Sequence, residues 1–125
     1  MNKLIQYFQK VYTPGSELVV DETIVPFHGR VEFPQYVPGK SHRYECKIFK
    51  LCKVDGYTWN FEASCGVSKC QETLGAADSL VVRLTEKLLE KGTAIYVDNY
   101  YMPHLLAKYL LTHKTYMCGT VQKNR

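Results

Sequence analysis

The stretch "LVVDETIVPFHGR", residues 18–30, decides the fold of this chain. It is rich in β-branched residues and contains a proline near its end, which predicts a strand from Leu18 to Phe27. Two adjacent carboxylates, Asp21 and Glu22, interrupt the apolar run. Neighbouring strand residues point to opposite faces of a sheet, so these two side chains cannot enter the same site. If Val20 lies on the face of Glu22, Asp21 projects from the other face.

A second carboxylate, Asp98, closes the short apolar strand that "TAIYVDNYY" predicts, a position where α/β sheets commonly bind ligands. A β-β-β-α-β order sets the first and fourth strands side by side, which would bring Asp21 and Asp98 together. Two close carboxylates repel unless a cation lies between them, and Mg²⁺ with oxygen ligands is the natural occupant. The spacing leaves alternatives open: a capping or loop aspartate at Asp98, and an edge-strand charge at Asp21.

Local patterns predict the other elements. Residues 1–12 carry apolar positions at helical spacing, and an Asp-Gly dipeptide suits the turn of a hairpin between "YECKIFKLCKV" and "YTWNFEASC". A helix is predicted from Asp78 or Ser79 to Lys91, with Asp78 as its N-cap. Another helix follows a proline, and "TYMCG" predicts a last strand. The order is therefore β-β-β-α-β-α-β, an α/β fold with a mixed sheet and helices.

Basic residues cluster in two segments of the chain. Residues 28–53 contain six Lys or Arg against two Glu, and residues 99–125 contain Lys and Arg but no Asp or Glu. Such clusters favour contact with a phosphate backbone. A solvated sheet face with lysines guarding its edge is the alternative.

The composition indicates an ordinary globular domain. The five cysteines match neither a disulfide framework nor a zinc knuckle, so reduced thiols are expected, and a zinc site using His42 or His113 is the alternative. The sequence shows no signal peptide and no apolar run near the roughly 20 residues that span a bilayer. We therefore expect an intracellular protein with no membrane partner.

Five motifs in order carry a resemblance to a known family: "VVDETIVPFHGR", "QYVPGK", "KIFKLCKVDGYTWNF", "IYVDNYY" and "GTVQKNR". They resemble successive motifs of the piggyBac transposase family and the cellular proteins derived from it, over roughly Tyr12 to Arg125. That family's catalytic domain has a ribonuclease H-like fold, with three aspartates that bind Mg²⁺ and cut and rejoin DNA at TTAA targets. The resemblance implies a partial ribonuclease H-like fold. Residues 1–17 would be the tail of a preceding helical region, and residues 18–125 the N-terminal part of the catalytic domain, truncated before the third Asp.

The resemblance also assigns roles to residues. Asp21 matches the first catalytic aspartate and Asp98 the second, and both are expected to be Mg²⁺ ligands, while Glu22 is a neighbouring polar residue. The DNA-binding residues are expected to be basic side chains in or near these motifs: Arg30, Lys40, Arg43, Lys47, Lys123 and Arg125.

The chain also departs from the family pattern. No acidic residue follows Asp98 to supply the third aspartate. Residues that differ from those usual in the family are Ser41, Glu45, Cys46, Cys65, Met102 and Pro103.

We therefore expect a transposase-derived catalytic domain that is inactive alone, with weak residual DNA binding and nuclear localisation. Mg²⁺ is expected for the intact family site. One alternative is a fragment of a complete Mg²⁺-dependent cut-and-paste transposase acting at TTAA sites. A second alternative is a protein-interaction module, with a second copy of the chain or another protein as its partner.

Overall fold

The computed structural model describes residues 2–26, 35–36, 44–64, 75–98 and 104–120. The helices in these ranges are α1 (Asn2–Val11), α2 (Ala76–Thr85) and α3 (His104–Thr112), with a 3₁₀ helix (Glu86–Leu88) directly after α2. The strands are β1 (Glu17–Pro26), β2 (Gln35–Tyr36), β3 (Tyr44–Lys53), β4 (Thr58–Ser64), β5 (Ala94–Val97) and β6 (Tyr116–Gly119). The predicted β-β-β-α-β-α-β order is present, with α1 before it and the short β2 added.

The strands form one mixed sheet in the order β2-β3-β1-β5-β6, with β4 also paired to β3. At its centre, β1 runs antiparallel to β3 and parallel to β5. β6 continues the parallel half beside β5. The predicted neighbourhood of the first strand and the strand before Asp98 is therefore present, and the arrangement is the predicted α/β fold with a mixed sheet.

One face of the sheet is covered by helices and forms the core. Leu18 and Val20 of β1 are buried, and Leu18 lies opposite the buried Ile95 of β5. Buried side chains of α2 and α3 pack on this face, including Leu84 and Leu106. Alternating burial along β1 follows from the period of two in a strand, so the buried even-numbered residues put Asp21 on the opposite face.

The predicted hairpin between β3 and β4 is confirmed. Gly56 has φ +97°, a conformation that glycine adopts at little cost, and its N–H donates to the carbonyl of Lys53 at 2.9 Å. Lys53 also forms an ion pair of 2.8 Å with Asp55. The hydrogen bond to Asp55, with a second one to Tyr12, raises the pKa of Lys53 to about 12.

The predicted bounds of α2 were wrong at both ends. The helix begins at Ala76 with Gly75 as N-cap and no side-chain capping bond, so Asp78 is a buried first-turn residue instead of the cap. The α-helical stretch ends at Thr85, where the Thr85 hydroxyl donates to the carbonyl of Val81 at 2.8 Å. A hydroxyl that bonds back to the preceding turn competes with regular helix geometry, and the chain continues as the 3₁₀ helix.

The helical prediction for residues 1–12 is confirmed by α1, which packs against β4. Phe8 lies 6.3 Å from the rings of both Tyr57 and Phe61. The Tyr57 hydroxyl donates to the carbonyl of Phe8 at 2.9 Å. Aromatic contacts and one side-chain hydrogen bond thus fix α1 to the outer strand of the antiparallel half.

The thiols of Cys46, Cys52 and Cys118 are free, and Cys65 and Cys70 lie outside the described residues. His42, one candidate for the alternative zinc site, also lies outside them. Across the described ranges, none of the helices has the length and apolar character that crossing a bilayer requires.

Candidate metal and nucleic-acid site

The register between β1 and β3 fixes the direction of the two adjacent carboxylates. Glu22 lies opposite Phe49, which is buried in the core, whereas Asp21 lies opposite Lys50. Glu22 therefore belongs to the helix-covered face, where Lys47 approaches it at 3.7 Å. Asp21 is exposed on the other face, as the alternation in the sequence predicts.

Asp98 and Asp21 follow the paired part of β1 and β5 at the same distance along the chain. The register between β1 and β5 ends with Val19 opposite Tyr96, and each aspartate is the second residue after one of these partners. Both side chains are exposed. Adjacent strands are about 4.8 Å apart, so the parallel pairing of β1 and β5 sets the two aspartates in the same region of the sheet.

The two aspartates occupy the carboxyl end of the parallel half of the sheet. β5 ends at Val97, and Asp98 is the next residue, while β1 continues to Pro26. The carboxyl ends of parallel strands are a common place for ligands, because side chains there are held by the sheet and open to solvent. The Glu22 N–H donates to Asp21 Oδ1 at 2.8 Å, which orients that carboxylate locally.

The donor set fits a hard divalent cation. Two carboxylates supply the oxygen ligands that Mg²⁺ prefers, and Mg²⁺ is usually bound by one or two carboxylates together with water and substrate phosphates. In the ranges that the structure describes, no group of three or more His, Cys, Asp or Glu is placed to hold a metal ion. The described part of the site thus offers Asp21 and Asp98 as candidate ligands.

Tyr96 of β5, two residues before Asp98, is a further polar residue near the candidate site. Tyr96 and Cys118 are opposite each other in the register between β5 and β6. The Tyr96 hydroxyl donates to Glu17 Oε1 at 3.2 Å, and the nearby negative charge of Glu17 raises the pKa of Tyr96. The exposed face therefore carries acidic and polar groups next to the aspartates.

The predicted DNA-binding residues lie mostly outside the described residues. Lys47 is described, and it is half-buried and paired with Glu22 on the helix-covered face. The predicted residues outside the described ranges are Arg30, Lys40, Arg43, Lys123 and Arg125. Their role in binding DNA stays a prediction.

Lys50 is a residue of this face that the sequence reasoning did not include in the site. Its position opposite Asp21 depends on the register of β1 against β3. The residues between these strands are too many for a tight turn that would fix the register. The available signal was the period of two along "KIFKLCK", which separates Lys50 from Lys47 by face.

A cavity of about 280 Å³ lies between α1, β4 and the C-terminal end of α2. It does not include either aspartate. It is lined by polar and charged side chains with one apolar residue, namely Asn2, Ile5, Gln6, Gln9, Asn60, Arg83, Glu86 and Lys87. This cavity is therefore separate from the candidate metal site.

Comparison with known proteins agrees with this architecture. The family model described as "Transposase IS4" matches residues 1–125, so the chain belongs to this family of DDE-type transposases. Among solved structures, the chain is similar to piggyBac transposase in a cryo-EM structure of its synaptic complex with hairpin DNA, with 29% sequence identity and a TM-score of 0.85. The match covers 99% of this chain and 27% of that transposase. The predicted membership of the piggyBac family and the ribonuclease H-like fold class are thereby confirmed.

Proposed function

We propose that residues 1–125 are the part of a transposase catalytic domain that carries two metal-binding carboxylates, Asp21 and Asp98, and that this polypeptide binds DNA without cutting it. The observation that carries the proposal is the parallel pairing of β1 with β5, in which both exposed aspartates follow the last paired residues, Val19 and Tyr96, at the same distance along the chain. The similar piggyBac transposase was captured with hairpin DNA, which supports DNA as the ligand.

The proposed chemistry is phosphoryl transfer on DNA. A bound Mg²⁺ supplies polarisation of a phosphodiester and activation of water or a 3′-hydroxyl. The side chains of Asp21 and Asp98 would hold and orient this ion at the carboxyl end of the sheet. Phosphoryl transfer depends on positioning, so a site short of one carboxylate loses rate steeply. The sequence has no Asp or Glu after Asp98, and we therefore expect no efficient cleavage by this polypeptide.

The proposed DNA binding is electrostatic. The chain has a net charge of +4, and the basic clusters include Arg30, Lys40, Arg43, Lys123 and Arg125. Each neutralised phosphate releases condensed counterions, so affinity falls as salt rises. Weak binding with a clear salt dependence follows. Nuclear localisation is part of the same proposal, because DNA is the ligand.

Two assays on the 125-residue polypeptide test the proposal. Fluorescence anisotropy with a labelled duplex should show binding that weakens between about 50 and 200 mM salt. Affinity that does not change with salt would contradict binding through phosphates. A nicking assay with Mg²⁺ should show no product above background, and robust nicking that Asp98→Asn abolishes would overturn the proposed inactivity. Glu86→Gln, an exposed carboxylate on the 3₁₀ helix, is the matched control for loss of one negative charge.

A second candidate function is that these residues act within a complete cut-and-paste transposase. The observation that favours it is the 27% coverage of the piggyBac transposase chain. The test is TTAA cleavage by a longer polypeptide that contains residues 1–125 and adds an acidic residue after Arg125. Cleavage lost in Asp21→Asn would support this function, and cleavage retained in that variant would exclude Asp21 from the chemistry.

A further inference from the structure

Lys50 lies directly opposite Asp21 in the register between β1 and β3. It therefore projects from the same face as Asp21. We propose that Lys50 is an internal competitor of the divalent cation, and that its ammonium weakens cation binding by the two aspartates. This inference rests on the proposed function, which assigns Asp21 and Asp98 to a metal ion.

The distance between the two strands brings Lys50 within reach of the carboxylates. Residues opposite each other in an antiparallel pair have Cβ atoms about 4.5–5.5 Å apart. The flexible four-carbon stem of lysine lets its ammonium approach the carboxylate of Asp21 from the neighbouring strand. A point charge on such a stem can occupy the volume in which a cation would bind, or lie beside it.

The surroundings of Lys50 keep its stem on this face. Its strand neighbours on the same face are Ile48, which is half-buried, and Cys52, which is buried. On the side away from Asp21, Phe61 of β4 lies opposite Lys50. Lysine stems pack along apolar surface while the ammonium reaches for polar groups. The neighbours of Lys50 along β3 and on β4 are thus apolar, and the charged residue in register with it is Asp21 of β1.

The other lysines of β3 are engaged elsewhere. Lys47 projects from the helix-covered face and pairs with Glu22 at 3.7 Å. Lys53 pairs with Asp55 at 2.8 Å beside the hairpin turn. Among the described cations of β3, Lys50 is thus the one opposite a candidate metal ligand. Lys91 supplies a matched control, because it carries the same charge in an exposed position in the turn before β5.

The electrostatic effect is large enough to measure. An ammonium about 6 Å from a divalent ion repels it, and with water-like dielectric screening and physiological salt the repulsion lowers affinity roughly threefold to tenfold. Replacing Lys50 by methionine keeps a flexible stem of similar length and removes the charge. The variant should therefore bind the cation tighter.

The experiment uses the 125-residue polypeptide and Mn²⁺ alone as the probe, with free Mn²⁺ measured by electron paramagnetic resonance. Lys50→Met should bind Mn²⁺ roughly threefold to tenfold tighter than the unsubstituted chain. Lys50→Arg, which keeps the charge, and Lys91→Met should both bind like the unsubstituted chain. Equal or weaker binding by Lys50→Met, or equal tightening by Lys91→Met, would overturn the inference. Circular dichroism of each variant checks that the fold is retained, and Lys50→Gln provides a second charge-removing variant.

A further variant separates this inference from the proposed function. The double variant Asp21→Asn with Lys50→Met should lose the tighter Mn²⁺ binding of Lys50→Met. If the double variant still binds Mn²⁺ as tightly as Lys50→Met, the cation binds elsewhere and the inference is overturned. If Lys50→Met binds no Mn²⁺, the inference fails even where salt-dependent DNA binding is present. If Lys50→Met binds Mn²⁺ tighter through Asp21 and salt-dependent DNA binding is absent, the inference stands and the proposed DNA-binding function fails.

Discussion

The ion pair between Arg83 and Glu62 ties α2 to β4, and its removal should cost measurable stability. Arg83 Nε donates to Glu62 Oε2 at 2.9 Å, and a terminal nitrogen donates to Oε1 at 2.7 Å. The two side chains are 32% and 36% exposed. The perturbation is a double-mutant cycle of Arg83→Met and Glu62→Gln, which isolates the coupling between the two groups from their other contacts.

The expected coupling follows from the geometry and the exposure. Fully exposed ion pairs contribute about 0.2–1 kcal/mol, whereas a hydrogen bond to a charged group contributes about 1.5–3 kcal/mol. Two parallel bonds at one-third exposure lie between these limits, so we expect a coupling energy of about 1–2 kcal/mol. For a chain of 125 residues, a coupling energy of this size corresponds to a difference in Tm of roughly 4–8 °C.

Urea denaturation at 25 °C measures the coupling energy from four proteins: the unsubstituted chain, the two single variants and the double variant. The measurements are repeated at low and high salt. Arg83→Lys should lose most of it, because lysine keeps the charge but cannot form two parallel bonds. Lys91→Met removes an exposed charge close to the end of the same helical segment and should leave stability nearly unchanged. A coupling energy below about 0.3 kcal/mol, or full stability in Arg83→Lys, would refute the assignment of this pair as a bidentate link.

Three further predictions concern the core, the hairpin and pH. Leu51→Ala, at a fully buried site, should lower the free energy of unfolding by about 2–5 kcal/mol in urea titrations, with the exposed Val54→Ala nearly neutral. Gly56→Ala should destabilise by about 1 kcal/mol because φ is +97°, whereas Gly15→Ala meets no contact within 4 Å and should show no such loss in thermal melts. Burial raises the pKa of Asp78, so the folded state binds the proton of this carboxyl more tightly than the unfolded state does. The free energy of unfolding should therefore fall as pH rises from the pKa of Asp78 in the unfolded state through its pKa in the folded state. Asp78→Asn should remove that fall, as urea midpoints at about pH 3 and about pH 7 would show, and an unchanged pH profile would contradict it.

The sequence predicted the parts of the site that depend on general rules. A period of two along β1 is enough to separate Asp21 from Glu22, and the register confirms that separation. The predicted order of elements also set the strand before Asp98 beside β1, and β5 does pair with β1. That the two aspartates bind one metal ion stays a prediction.

The parts that the sequence did not predict depend on tertiary contacts. The position of Lys50 needs the register of β1 against β3, which a tight turn would have fixed but a long connection does not. The end of α2 at Thr85 reflects a hydroxyl bond, and Arg83 is half-buried because Glu62 of β4 meets it. Neither contact has a local signature in the sequence.

The position of β1 also sets the order in which the sheet can assemble. The pairing of β3 with β4 closes over a short turn, whereas Leu18 meets Ile95 only after a long stretch of chain has been ordered. Closing a long loop costs conformational entropy, and the stabilising contacts between distant residues form only after the loop has closed. The antiparallel half should therefore form first, and β5 should join later. The end of β5, which Asp98 follows, then takes its place beside β1 in one of the last steps of folding. A cation held by both aspartates would stabilise the native state more than the folding transition state, so it should slow unfolding and leave the refolding rate nearly unchanged.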